Sequence, residues 1–343
     1  MKIVEVEEIK SIIENSPREA LLQCIEDAFV SYSDGSATVP PVGHLGFTDP
    51  PGDMHIKYGF IKNDPSYVIK IASGFYQNES IGLPNSNGLM MVFNAKTGQP
   101  EVLLQDEGYL TDFRTALAGA VVAKHMAPKE VSTIGIIGTG AQAKLQLELL
   151  SWVTDCREVY VYGRTEDKVV SYAAEMYVKG FNITKCESPG EVARHCNLIV
   201  TTTASNLPLL TAIDIQPGTH ITAMGSDVPG KQELSADLLA KAGIVACDSK
   251  TQCIDHGETH FAVANGLVKE ADVIEIGEWI KQGTTRSEDA ITVADLTGIA
   301  TQDIKIAGYV LSQLSKTPRN LSSTNHTFKN TLKLSFRRQE KSY

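Results

Sequence analysis

Val131-Ser-Thr-Ile-Gly-Ile-Ile-Gly-Thr-Gly-Ala-Gln-Ala143 decides the fold of this chain. A run rich in β-branched residues (Val131, Thr133, Ile134, Ile136, Ile137) leads into Gly138-x-Gly140-x-x-Ala143. Leu145, Leu149 and Leu150 then recur on one helical face. Strand, tight glycine turn and helix together form the arrangement that receives a dinucleotide pyrophosphate. Gly138 permits the turn, Gly140 lets the backbone approach phosphate, and Ala143 lets the helix pack closely on the strand. Ala141 and Gln142 open the helix, whose free N–H groups and positive dipole end would face the anion.

Downstream, candidate strands at 158–162, 181–185, 197–202, 219–223 and 243–247 alternate with helices opening near Thr165, Pro189, Ser235 and Ser249. Ser188-Pro-Gly-Glu191 is a capping box. This alternation predicts an α/β region with a Rossmann-type, doubly wound parallel sheet over residues 126–300. Upstream the rhythm differs. Ser16-Pro-Arg-Glu19 reads as a capping box that opens a helix carrying Leu21, Cys24, Ile25, Ala28 and Phe29 on one face. A proline- and glycine-rich loop is expected from Val39 to Gly52. Short strands follow at Met54–Phe60, Tyr67–Phe75, Leu89–Phe93 and Glu101–Leu104, and suggest an antiparallel sheet. A long helix with an alanine-rich face runs over about 109–126. Residues 1–125 therefore read as an α+β domain, to which a last helix near 301–320 returns and to which the family resemblance given below assigns substrate binding and dimerisation; 321–343 reads as a polar tail.

A chain of 343 residues with 42% apolar and 21% charged residues has room for two globular domains. Its net charge of −10 argues against a nucleic-acid surface, which needs clustered Lys and Arg. No apolar run is long enough to cross a bilayer. The six scattered cysteines lack a Cys-x-x-Cys pair and point to reduced thiols in a cytoplasmic protein.

The strand at 158–162 ends in Gly163-Arg164-Thr165, where NAD-binding sheets carry an acid for the ribose hydroxyl. An arginine and a hydroxyl suit a 2′-phosphate instead, so NADP(H) is expected, with NAD(H) as the alternative.

Four further stretches stand in order along the chain: Tyr109-Leu-Thr-Asp-Phe-Arg-Thr-Ala116, Ala223-Met-Gly-Ser-Asp-Val-Pro-Gly-Lys-Gln-Glu-Leu234, Asp248-Ser-Lys-Thr-Gln-Cys253 and Ala294-Asp-Leu-Thr-Gly-Ile-Ala-Thr-Gln-Asp303. With the glycine turn, they make the chain resemble the ornithine cyclodeaminase/mu-crystallin family. The resemblance implies a homodimer that acts on a small imino or amino acid. It implies that Lys70 faces the substrate, that Arg114 grips its carboxylate, and that Asp227 stands beside the reacting carbon. Thr115, Ser86, Met224 and Gly225 are assigned by the same resemblance to the cofactor pocket. Lys231, one turn on from Asp227, is expected to support the loop. The chemistry agrees: a planar guanidinium binds a carboxylate bidentately, Lys adds a compact charge, and an acid can exchange a proton with nitrogen. Lys70 also stands among Val68, Ile69 and Ile71, and a buried lysine needs a reason.

Two departures from the family pattern shape the functional expectation. His44 stands near the point where an arginine often contributes to substrate binding. The segment in which the cyclodeaminases hold a glutamate reads Asp53-Met-His-Ile-Lys57, which brings Lys57 to that region or, with a one-residue shift, Asp53 or His55. A lysine would repel the distal ammonium of ornithine and could welcome a second carboxylate. The expected activity is thus NAD(P)H-dependent reduction of a cyclic α-imino acid of the Δ1-pyrroline-2-carboxylate or Δ1-piperideine-2-carboxylate type. Ornithine cyclodeamination with catalytic NAD is the rival; an amino-acid dehydrogenase or a non-catalytic nucleotide-binding relative stands further off. His256-Gly-Glu-Thr-His260 places two histidines at i, i+4, but its glutamate is misplaced for the metalloprotease pattern, and no metal is expected.

Overall fold

A computed structural model describes residues 1–75 and 77–316; the proposed tail at 321–343 lies outside the described residues. The chain opens with β1 (Lys2–Glu5), α1 (Val6–Glu14), α2 (Arg18–Ser33), β2 (Ala37–Thr38), β3 (Gly43–Thr48), β4 (Pro51–Ile61), β5 (Ser66–Phe75), β6 (Ser86–Asn94), β7 (Pro100–Gln105) and α3 (Tyr109–Met126). The strands form a seven-stranded sheet in the order β1-β7-β6-β5-β4-β2, with β3 also on β4. Every pairing is antiparallel except β1 with β7.

Two expectations fail here. The segment read as a loop from Val39 to Gly52 contains β3, because pairing with β4 overrides its glycines. Ser16 does not cap α2; its hydroxyl donates to the Ile12 carbonyl and closes α1 instead.

The second sheet follows: β8 (Ile134–Ile137), α4 (Ala141–Leu150), β9 (Glu158–Tyr162), α5 (Glu166–Val178), β10 (Asn182–Lys185), α6 (Pro189–His195), β11 (Leu198–Thr201), β12 (His220–Ala223), α7 (Ala236–Lys241), β13 (Ile244–Cys247), α8 (Lys250–His256), α9 (Glu258–Ala264), β14 (Ile274–Glu275), α10 (Ile276–Gln282), β15 (Thr292–Asp295) and finally α11 (Ala300–Lys316). All eight strands are parallel, in the order β10-β9-β8-β11-β12-β15-β13-β14. β9 and β10 lie to one side of β8, and β11 and β12 to the other, so the strand order reverses at the glycine turn. Ligands of such sheets bind at the carboxyl ends beside that reversal. The parallel α/β fold read from the glycine turn is the one observed. The capping box at Ser188 also forms, with its side chain accepting from the Glu191 amide.

The α11 helix packs against α2, α3, β4 and β5. A single apolar cluster runs from the inner face of the first sheet (Val68, Met90, Val92, Leu104) through α2 and α3 to α11 and Trp279. The opposite face of that sheet exposes Ile3, Leu45, Phe47, Tyr58 and Phe60. Among the described residues no helix is long and apolar enough to cross a membrane.

Candidate active site

Alternation along the strands builds one wall of the site. His44 pairs with His55 across β3 and β4, and Lys57 pairs with Lys70 across β4 and β5. Side chains two residues apart share a face, so His55 and Lys57 stand beside Lys70. Val68 and Ile61 continue the same face into the core, where both are buried. One sheet face is thus apolar at one end and basic at the other.

The helices covering that face complete the cluster. Asp303 on α11 is 1% exposed, Lys70 2% and Arg114 of α3 4%. The Lys70 amine lies 3.0 Å from Asp303 Oδ2, and Arg114 Nε donates to Asp303 Oδ1 at 3.0 Å. Arg114 Nη1 also donates to Gln302 Oε1 at 2.7 Å. Lys57 donates to the backbone oxygens of Gly298 (2.6 Å) and Thr297 (3.2 Å). Buried charges persist only when paired, and one carboxylate here answers two cations. Burial and the neighbouring Arg114 charge lower the Lys70 pKa to about 7, although Asp303 opposes the shift. Burial tends to raise Asp303, but Arg114, Lys70 and Lys57 outweigh it and hold the carboxyl below its usual range. Burial, aided by Arg114, also lowers Lys57.

The carboxyl ends of the second sheet supply the other wall. Gly138 has φ +121°, a conformation that excludes other residues, and an added Cβ would meet the Thr202 hydroxyl at 2.5 Å. In front of Gly140 an added Cβ would meet nothing within 4 Å, and no side chain caps α4. An open turn before an uncapped ten-residue helix fits a pyrophosphate. α4 is tied to the first wall: Gln142 donates to the Asp112 carbonyl at 3.0 Å, and Gln146 to the Thr115 carbonyl at 3.1 Å. Asp227 follows β12, half-exposed, with Lys231 at 2.7 Å.

Between the walls lies a cavity of about 1060 Å³ lined by His44, Lys57, Lys70, Arg114 and Asp227 from the substrate set, and by Thr115, Gln142 and Met224 from the cofactor set. The model of the ornithine cyclodeaminase/mu-crystallin family matches residues 3–317.

The chain belongs to this family.

Among individual relatives, the Δ1-pyrroline-2-carboxylate reductase of Bacillus cereus is 32% identical over 84% of this chain and 90% of its own length. An archaeal alanine dehydrogenase dimer with bound NAD superimposes with TM-score 0.83 at 33% identity, covering 92% of this chain and 97% of that one. The iminosuccinate reductase of Paracoccus denitrificans in complex with NAD+ gives TM-score 0.82 at 29% identity, with the same coverage. Family members of known structure thus carry a nicotinamide cofactor on this fold.

The remaining expected residues divide. Ser86 lines a smaller adjoining cavity of about 240 Å³ together with Asp227 and Lys231. Ala143 is buried under α5, its carbonyl accepting from Tyr172 at 3.2 Å. Arg164 and Thr165 are exposed at the carboxyl end of β9, with Thr165 at the cap position of α5. Gly225 does not line either cavity; its amide is spent on the Glu233 carboxylate at 2.9 Å. His256 and His260 do not share a helix, because Gly257 is extended and separates α8 from α9.

Sequence reasoning missed the buried acids that hold the loops. Asp303 is one. Glu258 accepts from the Glu233 and Leu234 amides, Glu233 from Gly225 and the Thr201 hydroxyl, and Asp248 from Gly298 at 2.6 Å. Together they anchor the loops that carry Asp227 and Gly298. Burial raises Glu233, and raises Glu258 well above its usual range. Runs such as Lys-Gln-Glu or His-Gly-Glu look like solvated surface, so no local signal distinguished them.

Proposed function

We propose that this protein is an NAD(P)H-dependent reductase of an α-imino acid, with cyclic ketimines of the Δ1-pyrroline-2-carboxylate or Δ1-piperideine-2-carboxylate type as the parent substrates and an L-amino acid as product. The observation that carries this reading is the buried Lys70–Arg114–Asp303 cluster, which opens into the same cavity as Gln142 and Met224. The names of the relatives support reaction at a C–N bond next to a carboxylate.

Arg114 has spent its Nε hydrogen and one Nη1 hydrogen on Asp303 and Gln302. Its Nη2 hydrogens and the second Nη1 hydrogen remain for the substrate carboxylate. Lys70 lies beside it and carries a proton at Nζ below about pH 7. A reduced nicotinamide, when bound, supplies a hydride to the α-carbon. Asp227 exchanges the proton that the nitrogen gains as the C=N bond becomes C–N. The Gly138–Ala143 turn, Gln142 and Thr115 would hold the pyrophosphate, with Ser86 and Met224 nearer the ring.

We favour NADP(H) over NAD(H). Arg164 makes no hydrogen bond or ion pair among the described residues and is free to take a 2′-phosphate beside Thr165. The exposed apolar face formed by Ile3, Leu45, Phe47, Tyr58 and Phe60 is where we place the partner subunit of a homodimer.

The test is oxidation of NADPH and NADH by purified protein with Δ1-pyrroline-2-carboxylate, with Δ1-piperideine-2-carboxylate, and with 2-oxo acids plus ammonia. Amino-acid formation with matching loss of reduced cofactor is expected. Ammonia release from L-ornithine without net cofactor change would replace this reading with the cyclodeaminase one.

A further inference from the structure

The basic wall is longer than one carboxylate needs. Going outward from Lys70, the same sheet face presents Lys57, His55 and His44 on successive positions of β4 and β3. Neighbouring strands lie about 5 Å apart, so this row reaches roughly two strand spacings from Lys70 to His44. The His44 and His55 rings stand 4.8 Å apart. All three side chains line the cavity that holds Arg114.

Lys57 is the unusual member. Among the described residues it is held by two neutral backbone oxygens and paired with no carboxylate. Nearby acids have closer partners: Asp303 has Lys70 and Arg114, Asp248 has the Gly298 amide and Thr297, and Asp227 has Lys231. The acid beside His55 is Asp53, at 3.8 Å. A Cβ built on Gly298 would lie 3.0 Å from Arg114 Nη1 and 3.3 Å from Lys57 Nζ, so both cations converge on one backbone position. One substrate carboxylate satisfies Arg114 and Lys70. It leaves Lys57 with a free N–H and, among the described residues, no carboxylate within ion-pair distance: Asp303, Asp227 and Asp248 act on it only from further off, while Arg114 repels it.

We propose that the substrate is an α-imino acid bearing a second carboxylate, on its side chain or ring, and that Lys57, His55 and His44 receive that group. This rests on the imino-acid reading above and narrows it to dicarboxylic substrates. A distal ammonium would be repelled by Lys57, and an apolar side chain would leave Lys57 with only backbone oxygens as partners.

The test compares kcat/KM for dicarboxylic α-imino acids, formed from oxaloacetate or 2-oxoglutarate with ammonia, against Δ1-pyrroline-2-carboxylate and pyruvate with ammonia. Ammonia-free controls correct for reduction of the ketone. The native protein should favour the diacids by about tenfold or more. In Lys57→Met and in His55→Phe the diacid-to-monoacid ratio should fall by roughly 10- to 100-fold, the worth of a charge-assisted hydrogen bond. Lys57→Glu should invert the preference. Thermal melts and quenching of protein fluorescence by NADPH identify any variant that has misfolded, and His44→Gln then serves as the second probe of the subsite. A native preference for monoacids, or an unchanged ratio in folded Lys57→Met and His55→Phe, overturns the dicarboxylate inference alone. Failure to turn over any imino acid overturns the reductase reading beneath it.

Discussion

The two sheets build their halves of the cleft by opposite means. At the parallel sheet, strand, turn and helix are consecutive, so Gly138, Gly140 and α4 are in place as soon as one short segment folds. At the antiparallel sheet nothing is local. Lys70 meets Asp303 across 233 residues, and Arg114 meets it across 189. A cofactor turn can therefore be read from a dozen letters, whereas the substrate cluster exists only after tertiary packing. The contrast also separates what substitution should do in each region.

In the assembled region the effects should be large. Asp227→Asn should lower turnover by about a thousandfold, the range for loss of a proton-transfer group, while the Kd for NADPH stays near the native value. Near-native turnover would remove Asp227 from the chemistry. Asp303→Asn should cost about 3–5 kcal/mol in denaturant unfolding, because two buried cations lose their counter-charge.

The same variant should move a pH profile. The Lys70 pKa of about 7 lies below its unfolded value of 10.5, so between these limits the unfolded chain binds the extra proton. The penalty for burying this amine is thus complete below about pH 7 and is relieved as pH rises towards 10.5. Asp303, held low, contributes stability above its ordinary range and loses it as acid protonates it. For imine reduction, kcat/KM should fall as pH rises through about 7 and Lys70 loses its proton. Asp303→Asn should shift that fall to lower pH. An unmoved profile would reduce Asp303 to a purely structural role.

In the local region the effects should be smaller and confined. Arg164→Asp should change the NADPH-to-NADH ratio of kcat/KM by about 10- to 100-fold, with little change in the melting temperature. An unchanged ratio would refute the NADP(H) preference. Ser188→Ala removes the one cap bond to Glu191 and should cost about 1 kcal/mol, with kinetics intact. If Ser188→Ala disturbed catalysis as much as Asp303→Asn, the division between the two regions would not hold.

What could be read in advance follows the same division. The strands around the glycine turn, the Tyr109–Met126 helix and the Ser188 cap each rest on contacts within a few residues, and periodicity reveals those. Lys70 stood out because a lone cation among Val68, Ile69 and Ile71 violates the pattern of a buried strand. Asp303 did not, although its stretch was conspicuous. Helix α11 carries polar residues at Thr301, Gln302 and Asp303, a run with no local sign of burial, and only the fold of α11 onto α3 and β5 buries them. β15 (Thr292–Asp295) was also missed, although it is as long as β8, β11, β12 and β13 and sits between β12 and β13 inside the parallel sheet. The bond from the Gly225 amide to Glu233 could not be read in advance, because a glycine beside a cofactor loop and a glycine whose amide serves a buried glutamate have the same letter.

The position of Asp303 has a consequence for biosynthesis. As the polypeptide leaves the ribosome, Lys70 and Arg114 are made long before their counter-ion, and even the parallel sheet is completed only by β15, shortly before Asp303. Until α11 docks, those two cations, one on β5 and one on α3, lack the acid that makes their burial tolerable. Neutralisation of the buried pair is thereby deferred to a late stage of synthesis, and a chain cut short before residue 303 would lack the counter-charge on which that wall of the cleft is built.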